Sequence, residues 1–380
     1  MVRRFVRVLR IPSFRRMPES KFFKRLDTGM RRCNQLLGMP VASILLLGAL
    51  LLGACQHPTP EVQEQQFIAF GTLIDVTLYD VDAALAEQAF SALEHDLNQW
   101  HRDWHAWQPG LLHDLNQALA QHGAANVPAT LRPLIEIAQR MSLQSDGLFN
   151  PAIGGLLALW GFQNDELPQR PPESARIADW LKNPPAMTDL HLTDNHLTTQ
   201  HRGVQLDFGA CAKGYAAQLA IARLREFDIA NAIVAVAGDI HVAGSRGERP
   251  WRIGIRHPRE PGILGAVTLK DGESISTSGD YQRFFTYQNR RYHHLLDPRN
   301  GYPANSATSV TVIARDGLIA DAAATALFIA GPDAWPRIAH DLGVDTVMRV
   351  AADGAVQMTP AMAARVQIEG TPRVHVQALP

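Results

Sequence analysis

The chain is poor in cysteine and in long apolar runs. Cysteine occurs only at positions 33, 55 and 211 of the 380 residues, which is too few for a fold framed by disulfides. The apolar run at residues 41–54 is shorter than the roughly 20 residues that a transmembrane helix needs. No internal repeat is present. With 46% hydrophobic and 19% charged residues, the chain has the composition of a globular protein rather than a disordered or collagen-like one.

Basic side chains do not outnumber acidic ones. The whole chain has a formal net charge of −1, with 36 basic and 37 acidic side chains. Eleven of the basic and two of the acidic residues precede Cys55, so the remainder carries 25 basic and 35 acidic side chains, a net charge of −10. Nucleic-acid binding depends mainly on neutralising phosphates, and we therefore expect no nucleic-acid partner.

Two familiar metal and phosphate patterns are also absent. No Cys/His spacing suits a zinc site, and His101 and His105, four residues apart in HRDWHAW, lack the glutamate of a metalloprotease helix. This spacing favours a packed helix end over a metal site. The segment LDFGACAKGY lacks the closing G-K-[ST] of a P-loop.

The N-terminal 54 residues are typical of a secretion signal. Basic residues ending at Arg32 precede the apolar run, and residues 52–55 (LGAC) resemble a bacterial lipobox. We expect residues 1–54 to be a signal peptide and Cys55 to be lipidated, for example with palmitate, followed by a polar tether at residues 55–66. The alternatives are an ordinary cleaved signal or an anchor helix. Because the basic region is unusually long for a signal peptide, a further hypothesis is that translation starts at Met30. The expected location is the cell envelope, on the periplasmic side of a membrane.

Hydrophobic periodicity predicts both strands and helices in residues 67–380. Alternation in GTLIDVTLYD predicts a strand over residues 74–78. A 3, 4, 3, 4 spacing of apolar residues predicts an amphipathic helix over residues 90–104. Further predicted strands are IVAVA, WRIGI, GAVTL, SVTVI and TVMRV, and further helices lie near residues 130–143, 212–227, 318–330 and 333–342. The irregular alternation favours an α+β fold, and the proline-rich residues 163–188 are expected to be a surface excursion.

The first candidate for chemistry is LDFGACAKGYAAQLA, residues 206–220. A predicted strand ends at Gly209, and Lys213 and Gly214 fall in the first turn of the following helix. Backbone N–H groups at a helix N-terminus together with a lysine suit a phosphate. A tight strand–helix turn with a solvated lysine is the alternative.

The second candidate is DGLIADAAATALFIAG, residues 316–331. Asp321 and Thr325 are four residues apart, so their oxygens share one face of the predicted helix. A carboxylate and a hydroxyl are hard oxygen ligands that suit Mg²⁺. An aspartate near a helix N-terminus is also a common choice for favourable interaction with the helix dipole.

The third candidate is SISTSGDYQRFFTYQNRRYHHLLDPRNGYPA, residues 274–304. Two strands are predicted to pair through a Gln-Asn turn, with His293 and His294 on the second strand. Adjacent strand side chains point to opposite faces, so at most one of the two can serve a given site. Histidine suits general-base chemistry near neutral pH, whereas a structural role is the alternative. A fourth segment, FNPAIGGLLALWGF at residues 149–162, suits either a flat aromatic ligand or core packing.

Taken together, these segments resemble the ordered motifs of the ApbE family, the FAD:protein FMN transferases. The motifs are FGT at residues 70–72, FNPAIGGLLALWGF, LDFGACAKGY, VAGD at residues 236–239, SISTSGDYQRFF, RYHHLLDPRNGYP and IADAAATALF. The resemblance covers nearly all of the chain after the signal, and it implies an α+β, T-fold-like domain of mixed sheets packed with helices, with the flavin pocket between subdomains. This chain has Ala210 and Ala237 where the family usually has glycine.

The resemblance implies Mg²⁺-dependent transfer of FMN from FAD, the substrate, to a threonine or serine hydroxyl of an acceptor flavoprotein, with release of AMP. Membrane attachment through the lipid anchor would accompany it. The implied base is His294. The implied metal ligands are the carbonyl of Ala210, Asp321 and Thr325. The implied flavin contacts are Phe70, Trp107, Phe149, Asn150, Pro151, Asp207, Lys213 and Leu296.

Three other functions stay open at this point. A hydrolase that converts FAD to FMN and AMP would use the same pocket with water in place of the acceptor hydroxyl. A flavin-binding lipoprotein without catalysis would release no AMP. A purely structural or adhesive lipoprotein would have no reason to keep Asp321 and Thr325 together with Lys213 and Gly214.

Overall fold

The computed structural model describes residues 60–164 and 166–380. The predicted signal peptide, the lipidation site Cys55 and the first residues of the expected tether lie outside these ranges. Within them, no helix is long and apolar enough to cross a membrane.

A nine-stranded sheet forms the centre of the fold. Its order is β1-β2-β6-β7-β10-β13-β14-β15-β17, and all neighbours are antiparallel except the last pair. Three smaller sheets have the orders β16-β9-β8, β3-β5-β4 and β11-β12. The strands are β1 Val62–Ala69, β2 Thr72–Tyr79, β3 Ala124–Asn126, β4 Leu190–Thr193, β5 His196–Thr199, β6 Ala232–Val236, β7 Asp239–Ala243, β8 Trp251–Arg256, β9 Ile263–Leu269, β10 Ser274–Gly279, β11 Phe284–Tyr287, β12 Arg290–His293, β13 Ala307–Ala314, β14 Thr346–Ala351, β15 Val356–Met358, β16 Gln367–Ile368 and β17 Val374–Val376.

Several helices of the described ranges pack against the central sheet. The helices are α1 Ala83–Asp103, α2 Leu111–His122, α3 Arg132–Gln144, α4 Gly154–Trp160, α5 Ser174–Trp180, α6 Ala212–Arg225, α7 Gly317–Ala330, α8 Trp335–Asp341 and α9 Pro360–Ala363, with a 3₁₀ turn at Met187–Asp189. Helix α6 covers β6 and β7, and α7 covers β10 and β13. Apolar residues of β8 and β9 pack on the opposite face of the central sheet. The mixed α+β class expected from the sequence is confirmed.

Helix α1 forms where the apolar stripe predicts it. Asp82 caps its N-terminus by accepting from the N–H groups of residues 84 and 85 at 3.0 Å, which satisfies two otherwise unpaired donors. Phe90, Leu93 and Leu97 are buried on one face. The stripe therefore orients the last turn of α1, which carries His101, against the sheet.

The first strand, β1, was not predicted from the sequence, whose first predicted strand corresponds to β2. β1 begins at Val62, so part of the 55–66 segment expected to be a tether belongs to the central sheet. Its glutamines and glutamate concealed this, because β1 is an edge strand with one face in solvent and tolerates polar residues there. The 163–188 excursion likewise contains a short helix, α5.

Helix α7 is buried nearly all round. All of its residues except Ile319 are buried, as expected of a helix without a polar face. It packs on the central sheet and against α6 beside it. This position takes Asp321 and Thr325 into the interior of the protein, where an uncompensated charge is costly.

The predicted hairpin is present as β11 and β12. Gln288 and Asn289 form its two-residue turn with φ values of 48° and 58°, the left-handed pair that such hairpin turns require. The turn places His293 at the end of β12 and His294 directly after it.

Candidate active site

Helices α6 and α7 approach each other through two glycines. A Cβ atom on Gly214 would lie 2.1 Å from the carbonyl oxygen of Gly317, and a Cβ on Gly317 would lie 2.3 Å from the carbonyl oxygen of Gly214. Only glycine permits this contact. Because the backbones are so close, the N–H of Gly214 donates to Asp321 Oδ2 at 3.1 Å.

Lys213 joins two buried carboxylates. Its Nζ lies 2.9 Å from Asp239 Oδ2 and 3.4 Å from Asp321 Oδ2, and it also donates to the carbonyl oxygen of Gly209 at 3.4 Å. Asp239 and Asp321 are only 2% and 3% exposed. The alternative interpretation of the sequence, in which Lys213 is a solvated lysine in a tight turn, is thus excluded.

Burial and the neighbouring charges set the protonation states of Asp321 and Lys213. Burial, and then the charge of Asp239, raise the pKa of Asp321 to about 6, although Lys213 and the Gly214 N–H oppose the shift. Burial alone would lower the pKa of Lys213, but Asp239 and Asp321 raise it above its ordinary value. The lysine is therefore charged at neutral pH.

The residues of this group fit a bound cation. Two buried carboxylates against one ammonium leave a net negative charge in the interior, and Oδ1 of Asp239 is buried without a hydrogen-bond partner in the described residues. The hydroxyl of Thr325 lies one turn beyond Asp321 and 3.1 Å from Ser278 Oγ. Within residues 60–164 and 166–380, no group of three His, Cys, Asp or Glu side chains is arranged to hold a metal ion by itself. A metal would therefore need a carbonyl and a hydroxyl as further ligands.

Trp107 and Asp207, two of the expected flavin contacts, bind each other. The indole Nε1 donates to Asp207 Oδ2 at 2.7 Å, and Asp207 Oδ1 accepts from the N–H of Gly209 at 2.8 Å. The N–H of Asp207 donates to the carbonyl oxygen of Pro151 at 2.9 Å. One network thus links three separate segments directly beside Ala210, which stands two residues before α6.

Phe70 belongs to a stack of aromatic rings. It occupies the turn between β1 and β2 and stacks on Trp104 at 5.8 Å, and Trp104 stacks on Tyr215 at 5.5 Å. Tyr215 lies on α6, two residues after Lys213. The stack therefore connects the β1–β2 turn to the helix that carries the charged group.

Two expected flavin contacts present no side chain to a ligand. Phe149 and Leu296 are only 1% and 3% exposed and pack in apolar clusters, so they could contact a ligand only through backbone atoms. Asn150 is half-buried, and its amide donates to the carbonyl oxygen of Pro185 at 3.0 Å while its Oδ1 accepts from the N–H of Ala152 at 3.1 Å. The 149–151 loop is thus held rigidly next to Asp207.

The two adjacent histidines differ in what their ring nitrogens do. His293 is buried, and its Nε2 donates to the Ala304 carbonyl oxygen at 2.7 Å while its Nδ1 accepts from the N–H of Leu295 at 3.3 Å. His294 is half-buried, and its Nδ1 donates to the carbonyl oxygen of Arg283 at 3.2 Å. No other described residue hydrogen-bonds to its Nε2. Of these two histidines, only His294 therefore has a ring nitrogen available for proton transfer.

Burial lowers the pKa of His294 to about 3, and the neighbouring His293 and the charges of Lys213 and Arg283 act in the same direction. The ring is neutral at physiological pH. With the proton on Nδ1, the lone pair of Nε2 is an acceptor.

Asp239 received no role from the sequence, although it lies in the VAGD motif. Its partner Lys213 is 26 residues away, and nothing in the local pattern pairs the two. The preceding Ala237 has a φ of 56°, a conformation that favours glycine. Cys211, in contrast, is fully buried and donates to the Phe208 carbonyl oxygen at 3.6 Å, as a packing residue does.

Comparisons with known proteins identify the family. A family model described as the ApbE family matches residues 70–348. A Rhodobacter capsulatus protein named FAD:protein FMN transferase is 41% identical over 343 residues, which cover 90% of this chain and 65% of the relative. A Klebsiella pneumoniae protein of the same name is 35% identical over 268 residues, covering 69% of this chain and 80% of the relative.

Solved structures have the same fold. The crystal structure of the ApbE protein from Thermotoga maritima has a TM-score of 0.72 at 30% identity and covers 80% of this chain and 99% of that one. The apo flavinyl transferase ApbE of Pseudomonas stutzeri has a TM-score of 0.70 at 29% identity, with 80% and 96% covered.

Proposed function

The chain belongs to the ApbE family, and from this premise we propose that it transfers FMN from FAD to a hydroxyl of an acceptor flavoprotein, with release of AMP. One observation carries the proposal. At the start of α6 the half-buried Lys213 contacts two buried carboxylates with an unbalanced negative charge, beside an aromatic stack that suits a flat ring. A pyrophosphate with its cation and a flavin ring require these two surroundings side by side.

The proposed metal ligands are the carbonyl oxygen of Ala210, the carboxylate of Asp321 and the hydroxyl of Thr325. They are hard oxygen donors, which is the chemistry that Mg²⁺ prefers. Bound there, Mg²⁺ would neutralise charge that builds up on the leaving phosphate. Lys213 would contribute the second positive charge near the pyrophosphate, while its contact with Asp239 holds its ammonium group in place.

The proposed flavin contacts are the rings of Phe70 and Trp107, the backbone of the 149–151 loop and of Leu296, and Asp207. The network through Asp207 supports this assignment, because its carboxylate binds the Trp107 indole and its backbone N–H binds the Pro151 carbonyl oxygen. A rigid, largely preformed site loses little conformational entropy on binding.

His294 is the proposed general base. In the proposed step its Nε2 takes the proton of the acceptor threonine or serine hydroxyl. The hydroxyl oxygen then bonds to the phosphorus of the FMN part, and the bond from that phosphorus to the oxygen of the AMP leaving group breaks. The phosphate charge of bound FAD would make the His294 ring more basic than it is in the free protein.

Replacing His294 by asparagine is expected to lower the transfer rate by about 10²- to 10⁴-fold, the usual contribution of a general base. FAD binding is expected to change little, because asparagine can keep the polar contact with the Arg283 carbonyl oxygen. Transfer is measured as the FMN mass increment on an acceptor domain, and binding by titration with FAD. The control is His340→Asn on the exposed face of α8. Equal transfer rates for His294→Asn and the unchanged protein would exclude His294 as the base.

The same assay separates transfer from hydrolysis. The purified protein is incubated with FAD and Mg²⁺, with and without an acceptor domain that bears a Ser/Thr-containing flavinylation motif, and both AMP and acceptor mass are followed. AMP release that requires the acceptor supports transfer. Equal AMP release without the acceptor identifies an FAD pyrophosphatase, and no AMP at all identifies a flavin-binding lipoprotein.

We also propose that the protein is anchored in the cell envelope through a lipid on Cys55. Replacing Cys55 by serine is expected to move the protein from the membrane fraction to the soluble periplasmic fraction, because the apolar anchor is lost. Fractionation and intact mass measure this effect. The matched variant Cys33→Ser lies before the proposed cleavage site and should leave both unchanged. Retention of Cys55→Ser in the membrane fraction would contradict the proposal.

A further inference from the structure

We infer that His101 and His105 are positioning residues for the two aromatic side chains at the flavin site. The His101 imidazole accepts the backbone N–H of Phe70, and the His105 imidazole accepts that of Trp107. The inference rests on the proposed function, which assigns both aromatic residues to FAD. It also gives a role to the histidine pair in HRDWHAW, whose spacing does not correspond to any metal motif.

Phe70 is in a conformation that its residue type disfavours. Phe70 and Gly71 form the two-residue turn between β1 and β2, with φ values of 53° and 68°. Such turns favour Asn-Gly, and a left-handed conformation is unfavourable for a residue with an ordinary side chain. Strained residues of this kind concentrate at ligand sites. A phenylalanine kept at this cost therefore points to a use for its ring.

His101 holds this turn against α1. The N–H of the first turn residue has no partner in the β1–β2 ladder, and in Phe70 it donates to His101 Nδ1 at 3.1 Å. The imidazole also meets the Phe70 ring edge-to-face at 5.8 Å. The hydrogen bond fixes the backbone from which the Phe70 ring projects, while Trp104 supports one face of that ring.

His105 likewise fixes the backbone of Trp107 through hydrogen bonds. It lies just after the end of α1, and its Nδ1 accepts from the N–H groups of Trp107 at 3.1 Å and Gln108 at 3.0 Å. A side chain that binds the N–H groups two and three residues ahead closes a tight bend. This bend directs the Trp107 indole to Asp207, 2.7 Å away.

The two histidines form one unit. His101 lies in the last turn of α1 and His105 just after its end, and their rings meet edge-to-face at 5.5 Å. Both Nδ1 atoms accept hydrogen bonds, so in a neutral ring the proton lies on Nε2. Neither Nδ1 is then available to a metal, and the pair instead couples the two aromatic contacts.

The test measures FAD affinity of the full mature protein by quenching of its tryptophan fluorescence, together with the KM for FAD and kcat. His101→Leu and His105→Leu remove the acceptor but keep much of the volume, and each is expected to raise the Kd and KM for FAD about tenfold with kcat within about twofold. His101→Asn and His105→Asn put an amide oxygen close to the Nδ1 position and are expected to restore the Kd to within about threefold. Asparagine is suited to the bend at position 105.

A third pair of variants distinguishes the loss of the hydrogen bond from misfolding of the leucine variants. His101→Gln and His105→Gln carry the same amide one carbon further out, so the acceptor misses the N–H groups while the side chain stays polar. They are expected to bind FAD as weakly as the leucine variants. Asparagine and glutamine variants of equal affinity, or leucine variants as tight as the unchanged protein, would overturn the inference while the proposed function stands. An unchanged protein that fails to bind FAD would overturn both.

Discussion

Replacing Asp321 by asparagine is expected to lower the Mg²⁺-dependent transfer rate by about 10³-fold, a typical cost of removing one electrostatic element from a phosphoryl-transfer site. Asparagine keeps an oxygen that can accept from the Gly214 N–H, so the local packing survives. It removes the charge that would bind the cation. Because an unbalanced buried charge disappears, the metal-free variant should be at least as stable as the unchanged protein.

Two measurements check this result. The transfer rate is followed as AMP release and acceptor mass, and the unfolding temperature is recorded with and without Mg²⁺. A ligand that binds only the folded state raises that temperature, and Asp321→Asn should abolish the rise. The control is Asp316→Asn, the same change at the N-cap of the same helix, where asparagine caps as well as aspartate. A Mg²⁺-induced rise that persists in Asp321→Asn would exclude Asp321 as a metal ligand.

Replacing Gly214 by alanine is expected to lower the free energy of unfolding by about 3 kcal/mol or more, at the upper end of the cost of overpacking a core. The added Cβ would stand 2.1 Å from the Gly317 carbonyl oxygen and 2.9 Å from Asp321 Cβ. The first neighbour is backbone and cannot turn aside, so α6 and α7 must separate. Separation would break the hydrogen bond from Gly214 to Asp321 and displace Lys213, so transfer should be lost as well.

Urea denaturation and the transfer assay measure these effects together. Gly155→Ala on α4 is the matched control, because a Cβ there meets only Trp180 Nε1, at 3.9 Å. In a helix this change should be neutral or stabilise the protein by up to about 1 kcal/mol. If Gly214→Ala and Gly155→Ala had equal stabilities, the close contact of α6 with α7 would not exist in solution.

Elements whose pattern is local could be predicted from the sequence. The apolar stripe predicts α1, and the Gln-Asn turn predicts the β11–β12 hairpin, because helix and hairpin periodicities depend on neighbours within a few residues. The spacing of Asp321 and Thr325 likewise placed both oxygens on one face of a helix. The family resemblance then supplied roles that spacing alone could not. The edge strand β1 was not predicted, because its polar side chains suit solvent as well as a sheet edge.

The contacts that form the site depend on the tertiary structure. Lys213 meets Asp239 and Asp321 only because α6, β7 and α7 pack together, and the approach depends on a pair of glycines about 100 residues apart. His101 reaches the Phe70 N–H only because α1 folds back on the β1–β2 turn. Sequence by itself determined which elements form and which residue types carry the chemistry. Which carboxylate is paired, which histidine keeps a nitrogen available and which backbone is strained were decided by packing between distant segments, since burial and charge compensation exist only in the folded chain.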